Sequence, residues 1–340
     1  MYLSAERRFV LVFACLLVAI VALGIATPGE PARVERVRTP TPPPSDRTVS
    51  AAGAKTPLPA DVLQPVLAIS IEQRFPHLQA LSPGPSILAD RQIVSYYGNP
   101  YTADMGILGS GDPEAIASLL HQRAQEYDAL NGETGVIAAL HLVYAVAQYH
   151  EGDDGLYLQY VADEEVQTYI RVAEEHDMLL FIDLQIGRSS VEDELRKVLP
   201  YLRHPNVHLA LDPEFAVAAG EVPGTDLGSL RGPDISRAQE ALAGLVRREG
   251  LPPKLVMVHQ FVDSMVLDGG TIETYPNVEL IIDMDGYGPA EIKRVKYEQY
   301  ATASYATHAA IKLFLQHDPD LMSAQDVLAL VPRPAVIIYQ

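Results

Sequence analysis

Three apolar runs end on an acid followed two positions later by a second polar residue: Phe181-Ile182-Asp183-Leu184-Gln185, Leu209-Ala210-Leu211-Asp212-Pro213-Glu214 and Ile281-Ile282-Asp283-Met284-Asp285. Residues two apart in a strand share a face, so each pair points the same way from the carboxyl end of its strand. That end is where barrels of alternating parallel strands and helices gather their functional groups. The three runs therefore predict an acidic site at the mouth of a barrel.

The rest of the chain supplies the remaining strands. Strand-like runs at 93–98, 136–143, 179–186, 207–211, 255–261, 278–284, 310–316 and 335–339 alternate with amphipathic stretches, clearest at 112–131, 164–176, 191–203, 233–249 and 290–301. Asp112-Pro113-Glu114 and Pro233-Asp234 read as helix starts, with proline in the first turn and an acid that favours the helix dipole. Eight strands with intervening helices predict an α/β fold, a (β/α)8 TIM-type barrel rather than an open sheet. The pattern is irregular in two places. Between Val266 and Asn277 there is no room for a helix, and no helix follows the eighth strand. The segment 60–81 is the expected cover for the seam that a last helix fills.

Ahead of the barrel lie two segments of different character. Arg7 and Arg8 precede an uncharged run, residues 9–26, which has the length of a signal peptide or a membrane-spanning anchor. Gly24-Ile25-Ala26 is a small-x-small cleavage site, and either reading exports the domain. Residues 27–59 are rich in Pro, Thr, Ala and Arg, including Thr39-Pro40-Thr41-Pro42-Pro43-Pro44; such a composition forms no core and predicts a disordered spacer. The expected organisation is thus 1–26 targeting segment, 27–59 linker and 60–340 barrel, with the product extracytoplasmic, secreted or held by residues 9–26.

Charge and cysteine content exclude several classes. The chain carries a net charge of −19; from Asp61 onward lie 18 of its 25 basic and 40 of its 44 acidic residues, so that part carries −22. Such a surface repels phosphate backbones and argues against nucleic acid as a partner. The one cysteine, Cys15, falls in the apolar N-terminal run, which leaves the barrel without disulfides or thiolate ligands. No Gly-x-Gly-x-x-Gly follows a strand and no Gly-x-Ser-x-Gly is present, which argues against a dinucleotide fold and a serine hydrolase.

Placed on the barrel, the polar residues gather at one rim. The expected contributions are Tyr97 and Asn99 from strand one, His141 from two, Asp183 and Gln185 from three, and Asp212 and Glu214 from four. Strand five adds His259 and Gln260, strand six Asp283 and Asp285, and strand seven Lys312, Gln316 and His317. Burying so many polar groups is costly unless they serve a ligand or one another. Glu214 and Asp212 are the expected acid pair, with Asp283 and Asp285 as further catalytic carboxylates; the others are expected to bind substrate. A glutamate beside a second carboxylate in a partly buried site has its pKa raised, which suits a general acid. The segments 148–163 and 216–232 follow strands two and four and are expected to form walls or a lid at this rim.

The Asp212-Pro213-Glu214 tripeptide resembles the end of strand four in family 18 chitinase-like and family 25 lysozyme-like glycoside hydrolases. Asp283-Met284-Asp285 resembles the sixth-strand motif of the chitinases. The resemblance implies a hydrolase in which Glu214 donates the proton and Asp212 orients it, acting on a carbohydrate or cell-envelope polymer. The chain departs from the chitinase pattern at Ala210 and Val207, where those enzymes carry acids, and it has no tryptophan to stack on a sugar. Two alternatives remain open. Asp183, Glu214, His259, Asp283 and His317 could hold a divalent metal, or the mouth could bind a glycan or solute without reaction. The acids outnumber the imidazoles and no tight ligand spacing is present, so the expectation is a metal-free site with no cofactor.

Overall fold

In the computed structural model, residues 86–340 are described; the expected targeting segment, linker and seam cover all lie outside them. Eight parallel strands close into a barrel: β1 (Arg91–Gly98), β2 (Gly135–Ala147), β3 (Leu179–Gly187), β4 (Val207–Ala216), β5 (Lys254–Gln260), β6 (Val278–Met284), β7 (His308–Leu313) and β8 (Val336–Tyr339). Each pairs with its neighbours in chain order, and β1 completes the ring by pairing with β2 on one side and β8 on the other. The fold is a (β/α)8 TIM barrel.

The helices are α1 (Pro113–Asp128), α2 (Asp163–Glu175), α3 (Val191–Val198), α4 (Gly232–Glu249), α5 (Ala290–Ala301) and α6 (Ala324–Leu328). Local sequence sets their ends. The Asp112 side chain accepts from the Ala115 amide ahead of Pro113, Ser190 does the same for the Asp193 amide, and Ser323 and Asp326 form a reciprocal capping box. The expected helix 191–203 stops at Val198, and Pro200 leads into a separate short turn at Tyr201–Arg203. No helix follows β5. Two short turns, Asp263–Met265 and Gly269–Thr271, stand in its place, joined by a two-residue strand at Val266–Leu267 that pairs with Leu230–Arg231.

The strand alternation divides the core in two. One set of side chains, including Val94, Leu140, Ile182, Leu209, Val258 and Ile282, packs outward against the helices. The other set fills the barrel interior, with Ile93, Ile137, Leu179, Phe181, Leu255, Met257, Ile281, Val336 and Ile338 forming an apolar floor. Above that floor, towards the carboxyl ends, the interior positions of six strands are His141, Asp183, Asp212, His259, Asp283 and Lys312, all buried. Burial of these six groups is the feature of the fold that creates the site.

The walls of the mouth are tied down. Leu158–Tyr160 turns back antiparallel on Ala145–Ala147 and extends β2 as a hairpin. After β4, the Gly228 amide donates to the Glu214 carbonyl, the Ser229 amide to Ala216, and the Arg188 guanidinium to the Glu221 carbonyl. A Cβ at Gly228 would lie 2.6 Å from the Pro213 carbonyl oxygen, so glycine allows this close return of the chain. The segment 216–232 is thus a pinned wall.

Candidate active site

At the lowest polar level sits His259, fully buried at the end of β5. Its Nδ1 is 2.8 Å from Asp283 Oδ2 on the neighbouring strand, and its Nε2 is 3.1 Å from Asp183 Oδ2 across the barrel. Asp285 Oδ2 stands 3.4 Å from the same Nδ1. Burial opposes charge on this imidazole, but Asp183 and then the other carboxylates overcome it and hold His259 well above the usual histidine range. Asp183 is the counterpart. Burial opposes its ionisation, yet His259 and His141 keep its pKa well below the ordinary carboxylate range.

His141, one strand away on β2, has no exposed surface, and neither ring nitrogen makes an aligned hydrogen bond. Its Nε2 faces Asp183 Oδ2 from 3.3 Å. Burial pulls its pKa down to about 4 despite that carboxylate, so it is neutral at pH 7. Its ring stacks on Phe181 of the floor.

Lys312 on β7 supplies the second cation. Its Nζ lies 3.1 Å from Asp285 Oδ2 and 3.5 Å from the centre of the Tyr97 ring. Burial opposes the ammonium, but Asp285, Asp283, Asp212 and Asp183 together raise its pKa. Its position is set by a buried pair below it. Lys293 of α5 donates to the carbonyls of Lys312 and Gly286 and pairs with Asp318, which in turn accepts from the Gly288 and Phe314 amides. This arrangement ties together the ends of β6 and β7 that carry Asp285 and Lys312.

The upper level belongs to β4. Gln185 pairs with Asp212 in the β3–β4 register, but Gly187 pairs with Ala216, so β4 bulges across Pro213 and Glu214. Asp212 accepts from the Glu214 amide at 3.1 Å and faces the Gln185 amide group at 3.4 Å. Burial, with Asp183 and Asp285 nearby, raises its pKa to about 7. Glu214 is half-buried at the opening. Desolvation, then the charges of Asp212 and Asp285, push its carboxyl well above the ordinary glutamate range. Burial raises Asp285 as well, against the pull of Lys312 and His259.

The structure thus gathers Tyr97, His141, Asp183, Gln185, Asp212, Glu214, His259, Asp283, Asp285 and Lys312 around one end of the barrel. Several expected members fall elsewhere. Gln260 follows an inward residue and so points outward, where it accepts from the Tyr305 hydroxyl and donates to the Val262 carbonyl. Gln316 and His317 lie beyond the end of β7, in an exposed turn; the expected strand 310–316 begins two residues earlier and stops at Leu313. The Asn99 side chain is committed to the Val143 carbonyl and the Tyr101 amide and shapes the rim. Asp283, expected as a catalytic carboxylate, is fully buried and its Oδ2 is engaged by His259 Nδ1.

Two contributors carried no signal as separate features in the sequence. Tyr287, half-buried, lies close enough to Glu214 for that carboxyl to raise its pKa, with burial the larger cause. Lys293 sits in an amphipathic helix where a lysine reads as solvent-facing.

Comparison with solved structures finds several TIM-barrel proteins at low similarity. A sialic acid aldolase of Ruminococcus gnavus, a catalytic lysine mutant, is 13% identical over 75% of this chain and 69% of its own, with a TM-score of 0.37. A GH18 chitinase from Pseudoalteromonas aurantia is 9% identical over 73% of this chain and 93% of its own, at 0.35. A mutant form of Cel5A from Thermotoga maritima, in complex with cellobiose, is 7% identical over 74% of this chain and 89% of its own, at 0.38. No protein-family model matches the chain, and no curated protein matches it.

Proposed function

We propose that the barrel mouth is the active site of a glycosidase-like hydrolase that cleaves a carbohydrate or cell-envelope polymer, with Glu214 as the proton donor. The observation that carries this reading is the β4 pair: two carboxyls on one face of a bulged strand end, Asp212 raised to about 7 and Glu214 well above its ordinary range. A carboxyl that keeps its proton at neutral pH is what a leaving glycosidic oxygen requires, whereas a site that only binds has no need of one. In this scheme water adds to the anomeric carbon and gives its proton to Asp285, the bond to the leaving oxygen breaks, and the Glu214 proton passes to that oxygen. Asp212 orients Glu214 through its backbone amide, and Asp285 is the carboxylate on the facing strands. Tyr287 beside Glu214 and the exposed Tyr149 offer the rings that tryptophan would otherwise supply.

The residues before the barrel complete the proposal. The run at 9–26 exports the domain, and the Pro-rich 27–59 holds it away from the membrane, which places the mouth where envelope polymers are found.

The test is Glu214→Gln, which keeps volume but cannot donate the proton. Across a panel of soluble glycans and envelope polymers, kcat on any substrate turned over by the wild type is expected to fall by roughly 10²–10⁴-fold with an unchanged melting temperature. Turnover by the variant equal to that of the wild type would remove Glu214 as the acid. Retention of the intact protein in the cytosolic fraction would remove the export half of the proposal.

A further inference from the structure

Beneath the acid pair lies a group of ligand-type atoms that the acid–base reading does not use. His141 Nε2 from β2 and His259 Nε2 from β5 both face Asp183 Oδ2 on β3, at 3.3 and 3.1 Å. All three residues are fully buried. Bonds of about 2.0–2.2 Å to a first-row metal put neighbouring ligand atoms about 3.0–3.5 Å apart, which is the spacing of each imidazole from the Asp183 carboxylate oxygen.

We propose that His141, Asp183 and His259 form a binding site for one divalent transition-metal ion of the zinc class. Four observations support it. His141 is buried with both ring nitrogens outside any aligned hydrogen bond, a costly state for an imidazole that has no ligand to serve. Asp183 Oδ1 and Asp283 Oδ1 are likewise buried and unpartnered. The His259 Nδ1 contact with Asp283 Oδ2 fixes the tautomer that aims Nε2 inward, the carboxylate–histidine arrangement that orients metal ligands. Finally, one ligand atom from each of His141, Asp183 and His259 lies within 4.8 Å of the other two, close enough for all three to reach one ion. His141 Nδ1 has no such acceptor, and its ring is held instead by Phe181 and Tyr97.

The chemistry of the set selects the ion. Two imidazoles and one carboxylate suit Zn2+ or Fe2+ over Mg2+ or Ca2+, which take oxygen ligands. A second grouping, His259 with Asp283 and Asp285, is less suited: it needs the Nδ1 already engaged by Asp283, and the Lys312 ammonium beside Asp285 repels a cation. The metal-free expectation from sequence spacing rested on the absence of a short ligand motif. Here the three ligands come from three strands and leave no such motif.

The experiment uses the barrel protein purified without chelator and does not depend on a substrate. Elemental analysis is expected to find about one equivalent of divalent metal. Chelation should lower the melting temperature, on the order of 5–10 °C for ions at a hundredfold excess over Kd, and added Zn2+ should restore it. Co2+ loaded in place of the native ion should give visible d–d absorption that is lost in Asp183→Asn and His141→Gln. If those variants fail to fold, the wild-type Co2+ spectrum and its displacement by Zn2+ still decide the matter. Glu214→Gln should bind the metal as the wild type does, so loss of the acid and loss of the metal are separate results. Metal-free protein from Zn2+-supplemented cultures, with a melt indifferent to chelator and to added Zn2+, Fe2+ and Co2+, would overturn the proposal.

Discussion

Two buried lysines, at opposite ends of the barrel, have opposite surroundings. Lys254 begins β5 at the amino end. Its Nζ donates to the carbonyls of His204 and Val207, at 2.6 and 2.7 Å, with Pro205 at 3.4 Å, and no anion touches it. Lys312 ends β7 at the mouth, in contact with Asp285 and within reach of three further carboxylates. Burial pulls Lys254 down to about 7, whereas at Lys312 the carboxylates overcome burial and raise the pKa. The lower lysine is a staple that satisfies backbone acceptors. The upper one balances a surplus of negative charge, and that surplus is what makes the mouth a candidate site.

Removing each cation tests this contrast. Lys312→Met leaves Asp285 and its neighbours buried without their counter-ion, and is expected to destabilise by about 3–5 kcal/mol at pH 8 in denaturant unfolding. The deficit should shrink at pH 5. The carboxyls left behind have folded pKa values above their unfolded ones, so their cost grows as pH rises past about 4 and is relieved by protonation. Equal deficits at pH 5 and pH 8 would show that Lys312 does not act through charge.

Lys254→Met should cost less, about 1–3 kcal/mol, because it strands carbonyls and no anion. Its pH dependence runs the other way. Folded Lys254 releases its proton at about 7 and unfolded lysine at about 10.4, so the cost of keeping it charged is fully present below pH 7 and disappears as pH rises towards 10. The advantage of the wild type over the Met variant should therefore widen between pH 7 and 10. A larger deficit for Lys254→Met than for Lys312→Met would reverse the assignment of the two ends.

The smallest expected effect is that of Asp212→Asn. Folded Asp212 titrates at about 7 and an unfolded aspartate at about 3.9, so the wild type loses stability as pH climbs through that interval. The Asn variant escapes the loss but weakens the contact to the Glu214 amide. Relative to the wild type it should gain on the order of 1 kcal/mol between pH 6 and pH 7. A constant difference in melting temperature across that range would place Asp212 outside the charge surplus.

Much of the barrel was legible in the sequence because apolar runs such as 179–182 and 278–282 stop abruptly at acids. Where an apolar run outlasts its strand, the reading slipped. Phe314-Leu315 continue the pattern of β7, but the Phe314 amide turns to Asp318 and Leu315 to the Gln340 carbonyl, which puts Gln316 and His317 into a turn. Alternation decided the other misplacement, since residues next to inward side chains point outward, and Gln260 is one position past His259. That His141, Asp183 and His259 share one rim was read from the strand ends, but the close approach of both imidazoles to Asp183 was not, for a different reason. It depends on the stagger between strands in a closed ring, which no local pattern records. Lys293 and Lys254 were overlooked because a lysine reads as exposed unless the carbonyls it caps are known.

The ring is completed by its last strand. Val336–Tyr339 pairs at once with β7 and with β1, joining Ile93 to Val336 across most of the described chain. During synthesis, strands β2 to β6, which bring His141, Asp183, Asp212, His259 and Asp283 together, leave the ribosome well before β8. Until residue 339 emerges, two strand edges remain open, and the charged interior is exposed along that gap. Contacts so distant in sequence form slowly, and open edges invite wrong pairing. The nascent protein therefore has a vulnerable interval set by its order of translation, in which a chaperone has most to shield and a stalled ribosome most to lose.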